Sequence, residues 1–287
     1  MRGQPTPAWP ARAGHAGVAR PRRVQKDDVS LTLHARETPH ARETLAIVGE
    51  SGSGKSPPAL TMPRVLPPAA QVMQGQMLFE GESMVQKSEE EMRKVRGKRI
   101  GMILQDPMAS LNPRMRVRDI TSEPLVANGD LPAATVRDRV REMLDLVGLP
   151  ARSADLFPHE LSGCQRQRIA IARVLSLSPR LIVLDEPVSA LDVSIRAQIL
   201  NLLTDLRDRL GLSYLCVAHD LAAVGHMSHT IIVMYLGKIA ESGEARALAR
   251  SPMHPWATRN NNRSSWCWVG SLRVMAGADP PSPVLQC

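Results

Sequence analysis

Aromatic residues are nearly absent: two Phe, two Tyr and four Trp in 287 residues. That scarcity argues against a nucleic-acid platform built on base stacking, and no nucleic-acid partner is expected. No run of about 18 uncharged apolar residues occurs, so no segment reads as a membrane-spanning helix. The four cysteines, Cys164, Cys216, Cys267 and Cys287, are too few and too scattered for a disulfide scaffold or a zinc site. Acidic residues are missing from the first 26 positions, which carry Arg2, Arg12, Arg20, Arg22, Arg23 and Lys26. The formal net charge of +8 therefore sits at the ends, and residues 27–250 are close to neutral. Such ends read as solvated segments rather than as a polyanion site.

Pro5, Pro7, Pro10 and Pro21 oppose a helix over residues 1–26, which read as a disordered basic segment. No apolar stretch follows the arginines, so no secretory signal is expected. HARET occurs at 34–38 and again at 40–44, a local duplication expected in a surface loop. Periodicity fades again near Trp256, and 251–287 read as an irregular tail.

What is present lies between these ends. Apolar runs at 44–48, 99–104, 181–185, 213–218 and 230–236 fit strands buried on both faces of a parallel sheet. Amphipathic segments at 133–147 and 191–210 fit helices that cover it. The alternation predicts a doubly wound α/β fold, whose ligands bind beyond the carboxyl ends of the strands.

The chemistry-bearing residues fall at those ends. GESGSGKS, residues 49–56, follows the first run and fits G-x-x-x-x-G-K-[ST]. Its residues Gly49, Glu50, Ser51, Gly52, Ser53 and Gly54 curl backbone N–H groups around a phosphate. Lys55 neutralises the β/γ-phosphates, and the Ser56 hydroxyl can ligate Mg²⁺. LIVLDEP, 181–187, delivers Asp185 and Glu186 at a strand end. One carboxylate can hold Mg²⁺ and the next can take a proton from attacking water. LSGCQ, 161–165, places Ser162 as a helix N-cap, with Gly163 and Cys164 exposing backbone N–H groups. Gln105 and His219 each follow a core strand.

The ordered set GESGSGKS, Gln105 in LQDP, LSGCQ, LDEP, SALD (189–192) and AHD (218–220) resembles the ATP-binding subunit of ABC transporters. EEMRKVRGKRIGMILQDPMASLNPRMRV (90–117), FPHELSG (157–163), MYLGKIAESG (234–243) and HPW (254–256) resemble its peptide/nickel importer subfamily. The resemblance covers about residues 28–258. It implies a P-loop NTPase, RecA-like core over 27–250, with an α-helical subdomain inserted at about 106–175. It implies ATP and Mg²⁺ as cofactors, with Lys55 and Ser56 on phosphate and metal, and Asp185 and Gln105 toward the metal. It implies Glu186 as general base, His219 at the γ-phosphate, and Gln105 as a sensor that signals to the helical subdomain. Ser162, Gly163, Cys164 and Gln165 would complete the ATP site of a second ATPase subunit, paired head to tail as a homo- or hetero-dimer. Asp192 would couple the two sites. Transmembrane permease subunits, and indirectly an extracytoplasmic solute-binding protein, are the implied partners. The implied place is the cytoplasmic face of the inner membrane.

The sequence also departs from that pattern. Cys164 stands where the family has glycine, which predicts a strained backbone and a hindered approach to ATP. Pro57 predicts displacement of Ser56 from helical geometry. Pro63 predicts a lost hydrogen bond inside the following helix, at about 3 kcal/mol. No aromatic occurs over 10–48 to stack on adenine. A second reading therefore stands beside the working ATPase: an impaired or frame-shifted form that binds nucleotide weakly or serves only as a partner subunit.

Overall fold

The computed structural model describes residues 42–67, 70, 72, 77–105, 110–129, 131–189 and 191–260. The basic segment 1–26, the aromatic-free stretch to residue 41 and the tail beyond 260 lie outside the described residues.

Strand β1, Thr44–Gly49, is buried along its whole length. It pairs in parallel with β6, Ser213–Ala218, on one side and with β7, Thr230–Tyr235, on the other. A strand enclosed on both edges and both faces needs an uninterrupted apolar run, and LAIV supplies it. Full burial of a side chain such as Ile47 contributes about 1.5–3 kcal/mol. Further parallel strands, β5 (Leu181–Asp185) and β4 (Ile100–Ile103), extend the sheet, and antiparallel β8 (Lys238–Glu244) closes it, in the order β4-β5-β6-β1-β7-β8. The five apolar runs are the five parallel strands. The edge strand β8 alternates partly buried and exposed residues, and its sequence KIAESGE carried no apolar run to reveal it.

The second HARET copy is not a surface loop throughout. Its Thr44 opens β1 and is fully buried. Glu43 O accepts from Tyr214 N–H at 2.9 Å, so strand pairing captures the end of the duplication.

A short hairpin, β2 (Leu78–Phe79) with β3 (Glu82–Ser83), precedes helix α2, Glu89–Val95. Glu80 and Glu82 of the hairpin bind Arg99 just before β4, and Glu80 also binds Arg180 before β5. Arg99 first, then Lys87, holds the Glu82 carboxyl down to about 2.

Three longer helices, α3 (Val117–Asn128), α4 (Ala133–Leu146) and α5 (Gly163–Leu175), pack on one another. Helix α4 matches the periodic segment 133–147. Two 3₁₀ turns, Ala151–Asp155 and Pro158–Glu160, join it to α5. Helix α6, Val193–Leu210, matches the periodic segment 191–210 and ends on left-handed Gly211. Helices α7 (Leu221–Gly225) and α8 (Ala245–Arg250) follow β6 and β8.

The irregular tail expected from residue 251 is corrected over its first part. Helix α9, Pro255–Asn260, begins on a proline, which suits a helix start. Trp256 and Ala257 are buried in the main core, so side-chain burial, not periodicity, orders this turn.

One element of β1 carries a pH dependence. The Thr44 N–H donates to His229 Nδ1 at 3.0 Å, which requires that nitrogen to be unprotonated. Burial, then the Arg207 guanidinium, holds the imidazole below its usual value. A depressed histidine pKa contributes stability that is present above the unfolded value of about 6.5 and is lost as pH falls below it. His229→Asn supplies an amide oxygen in place of Nδ1. Chemical denaturation between pH 7 and pH 5 is expected to show a loss of up to about 1 kcal/mol, one hydrogen bond's net worth, in the parent only.

Candidate functional site

Parallel pairing sends the carboxyl ends of β1, β4, β5 and β6 to the same edge of the sheet. That placement gathers three sequence-distant groups around one carboxylate. Glu186, directly after β5, accepts from Gln105 Nε2 at 3.0 Å. Its other oxygen lies 3.7 Å from Lys55 Nζ. His219 Nδ1 stands 3.5 Å from Glu186 Oε2. Asp185 ends β5 beside it, and burial, then the Glu186 charge, raises its carboxyl, with Lys55 pulling the other way.

The glycine-rich loop wraps from β1 into helix α1, Ser56–Thr61. Gly49 is fixed by space. A Cβ there would lie 2.4 Å from Met234 O and 2.6 Å from Ser53 Oγ. Gly52 and Gly54 hold φ of +83° and +89°, the region that L side chains avoid. Ser53 N–H closes the loop on Glu50 O at 3.0 Å, and Glu50 O also takes Lys55 Nζ at 3.3 Å. Ser51 is exposed on the loop. Among the described residues, the buried Ser53 hydroxyl has no hydrogen-bond partner. From the far side, Gly237 N–H in the β7–β8 turn donates to Ser53 O at 2.9 Å. Lys55 is only 5% exposed, so its ammonium charge is held in a partly desolvated mouth.

Two expectations about the loop helix are corrected. Helix α1 begins on Ser56, so Pro57 does not drive that residue out of the helix. Pro57 and Pro58 occupy the first turn, where backbone N–H groups have no intrahelical acceptor to lose. Pro63 lies beyond the last helical residue, Thr61, and therefore stops the helix rather than breaking its interior. The Thr61 hydroxyl donates to Pro57 O at 2.6 Å within that short helix.

The signature segment forms a separate structure at the start of α5. Ser162 Oγ accepts from Gln165 N–H at 3.2 Å, and Gln165 Oε1 accepts from Ser162 N–H at 3.0 Å. This capping box satisfies two helix-end donors. Gly163 is exposed at the tip. The strained backbone expected at Cys164 is also corrected. Cys164 is helical, is not among the residues with positive φ, and buries its side chain completely in the main core. A helix turns successive side chains through a wide angle, so the position that follows the exposed glycine faces inward. Asp192 is the exposed N-cap of α6, without a side-chain capping bond.

Sequence reading missed three supporting groups. Gln167 of α5 donates through Nε2 to Pro187 O at 2.8 Å. Ser189 Oγ donates to Glu186 O at 3.1 Å. Arg196 of α6 donates to Leu191 O and Ser189 O at 2.7 and 3.2 Å. Only Gln167 left a signal: it is a polar residue three positions after Cys164 and four before Ile171, on the buried face of α5.

A glycine-lined loop with a buried lysine, facing a strand-end carboxylate, defines a P-loop ATPase. The family model for "ABC transporter" matches residues 27–189, and the chain belongs to that family. It is 44% identical over 239 residues to the dipeptide transport ATP-binding protein DppF of Haemophilus influenzae, covering 83% of this chain and 70% of that one. It is 48% identical over 214 residues to the oligopeptide transport ATP-binding protein AppF of Bacillus subtilis, covering 75% and 64%. Among solved structures, a dimeric post-hydrolysis state of the ATP-binding cassette MJ0796 with ADP and Pi superposes with a TM-score of 0.63 at 28% identity, covering 75% and 88%. The ABC transporter subunit cbiO1 of Clostridium perfringens gives 0.66 at 26% identity, covering 83% and 88%.

Proposed function

We propose that this chain is the ATP-hydrolysing subunit that energises import of peptides or related small solutes through a membrane permease. The carrying observation is the Glu186 carboxylate, brought within reach of Lys55, Gln105 and His219 at the mouth of the glycine loop. The peptide-transport names of its relatives support the solute class.

In this reading the loop N–H groups of 49–56 and Lys55 bind the phosphates. The mouth suits Mg²⁺ as well. Ser56, Asp185 and Gln105 offer hard oxygen donors, and Asp185 and Glu186 bring two adjacent carboxyls into a desolvated place. When bound, Mg²⁺ supplies charge neutralisation of the phosphate oxygens. Glu186 takes the proton of attacking water, with its orientation fixed by the Gln105 amide. His219 would contact the γ-phosphate, a role supported by its place 3.5 Å from Glu186. Catalysis is then positioning plus electrostatics, as in other P-loop enzymes.

Ser162, Gly163, Cys164 and Gln165 would face the ATP of a second, head-to-tail subunit, and Asp192 would couple the two sites. The exposed Gly163 at the start of α5, and a Cys164 side chain buried in the core rather than standing beside it, support that reading. The domain would run over 27–250 with its helical part at about 106–175. Among the described residues no helix is long and apolar enough to cross a membrane. A permease would hold the subunit at the cytoplasmic face, with an extracytoplasmic solute-binding protein as an indirect partner.

The direct test is MgATP binding and hydrolysis by the purified chain, followed by peptide-stimulated turnover in proteoliposomes that contain a peptide permease. Binding and turnover are expected. Failure to bind millimolar MgATP would sink the reading, and stimulation by a non-peptide solute alone would correct the solute class.

A further inference from the structure

Glu186 sits in an uncommon backbone state. Its φ is +48°, a left-handed value for a residue with a full side chain. Such a conformation persists only where the surroundings over-determine it. Three neighbours do so here. The Glu186 N–H donates to Val217 O of β6 at 2.9 Å. Its carbonyl accepts from Ser189 N–H at 3.2 Å and from the Ser189 hydroxyl at 3.1 Å. The next carbonyl, Pro187 O, accepts from Gln167 Nε2 at 2.8 Å.

The first two restraints come from the sheet and from the turn itself. The third comes from α5, the helix that starts with the signature segment. Gln167 is 1% exposed, and its neighbours on that face are Cys164, Ile171 and Leu175. A buried amide on an apolar face is costly unless it is hydrogen-bonded, so its place there is tied to this bond. Pro187 cannot adjust φ freely, so anchoring its carbonyl also restricts the orientation of the peptide plane behind Glu186. The same helix holds Ser110 O and Glu123 through Arg173, at 2.8 and 2.7 Å.

We propose that Gln167 is a positioning residue for the hydrolytic carboxylate, and that through it the signature helix of a subunit sets the aim of that same subunit's Glu186. The proposal rests on the reading of Glu186 as the general base. Loss of the Gln167 donor lets the turn relax toward ordinary φ, and the carboxylate leaves its bond to Gln105. A displacement of this kind costs about tenfold to a hundredfold in rate without removing any phosphate contact.

The test uses the full chain and steady-state MgATP hydrolysis. Gln167→Met keeps the side-chain length and removes the donor. Gln167→Leu likewise removes the donor and suits the apolar face, so it covers the case in which the methionine variant fails to fold. Each is expected to lower kcat at least about tenfold while KM for MgATP stays within about twofold. In a Glu186→Gln background, the same change is expected to cause no further loss of residual turnover, because it acts through Glu186. Equal loss in both backgrounds would make Gln167 merely structural and overturn the proposal, as would an unchanged kcat. Absence of turnover in the parent chain would overturn the general-base reading and this proposal with it. Parent turnover that the variants leave intact overturns the proposal alone.

Discussion

Glu186→Gln is expected to reduce ATP turnover by about a hundredfold or more while MgATP still binds within a few-fold of the parent. The amide is nearly isosteric, so the left-handed turn and its bonds to Val217 and Ser189 are kept. What is lost is the capacity to accept a proton from water. The substitution also removes the negative charge that stands 3.7 Å from Lys55 and raises the neighbouring Asp185 carboxyl. Both changes favour a bound polyphosphate, so affinity is expected to hold or to rise. Single-turnover hydrolysis alongside equilibrium binding separates the two quantities. Equal losses in both would place Glu186 in nucleotide binding and remove it as the base.

Lys55→Met is expected to act at the opposite step and to weaken MgATP binding by about a hundredfold, near 2.7 kcal/mol. The ammonium group is 5% exposed and lies within reach of Glu50 O and Glu186. Its desolvation is already met in the folded chain, so its attraction to incoming phosphate oxygens is stronger than it would be in water. Methionine keeps the stem packing and deletes only the charge. The remaining Glu186 keeps Gln105 as a hydrogen-bond donor, and its carboxylate is then free to repel phosphate. Calorimetric titration with MgATP gives the affinity, and a melting curve without nucleotide checks that the fold survives. A variant that binds as tightly as the parent would show that the backbone N–H groups alone carry recognition.

The parallel sheet was legible because each of its strands is an uninterrupted apolar run, and the two longest helices because their periodicity is clean. Glu186, Gln105 and His219 were legible for a related reason. Each stands directly after such a run, and parallel pairing puts all those ends on one edge. Edge strand β8 was not legible, because a strand with one solvated face and a charged composition looks like a loop. Helix α9 was hidden in the same way, since one buried tryptophan rather than a repeat holds it. The errors at Cys164 and Pro63 share a different cause. Each residue was judged by its type, whereas the outcome depended on its phase within a helix. Cys164 falls on the inward face, and Pro63 falls just outside the last turn. Gln167 was overlooked because a polar residue in an amphipathic helix is usually assigned to the water side.

The pairing of β1 has a consequence for synthesis. Thr44 pairs with Tyr214, and Leu45 with Thr230. The strand that feeds the glycine loop thus waits, as the chain leaves the ribosome, for partners that emerge much later. Until then, its apolar face has no sheet to enter and the loop has no fixed mouth. A nascent chain stalled before residue 213 would carry every residue from Gly49 to Ser56 and still lack the cradle they form. It would be a client for a chaperone before it was a ligand for ATP.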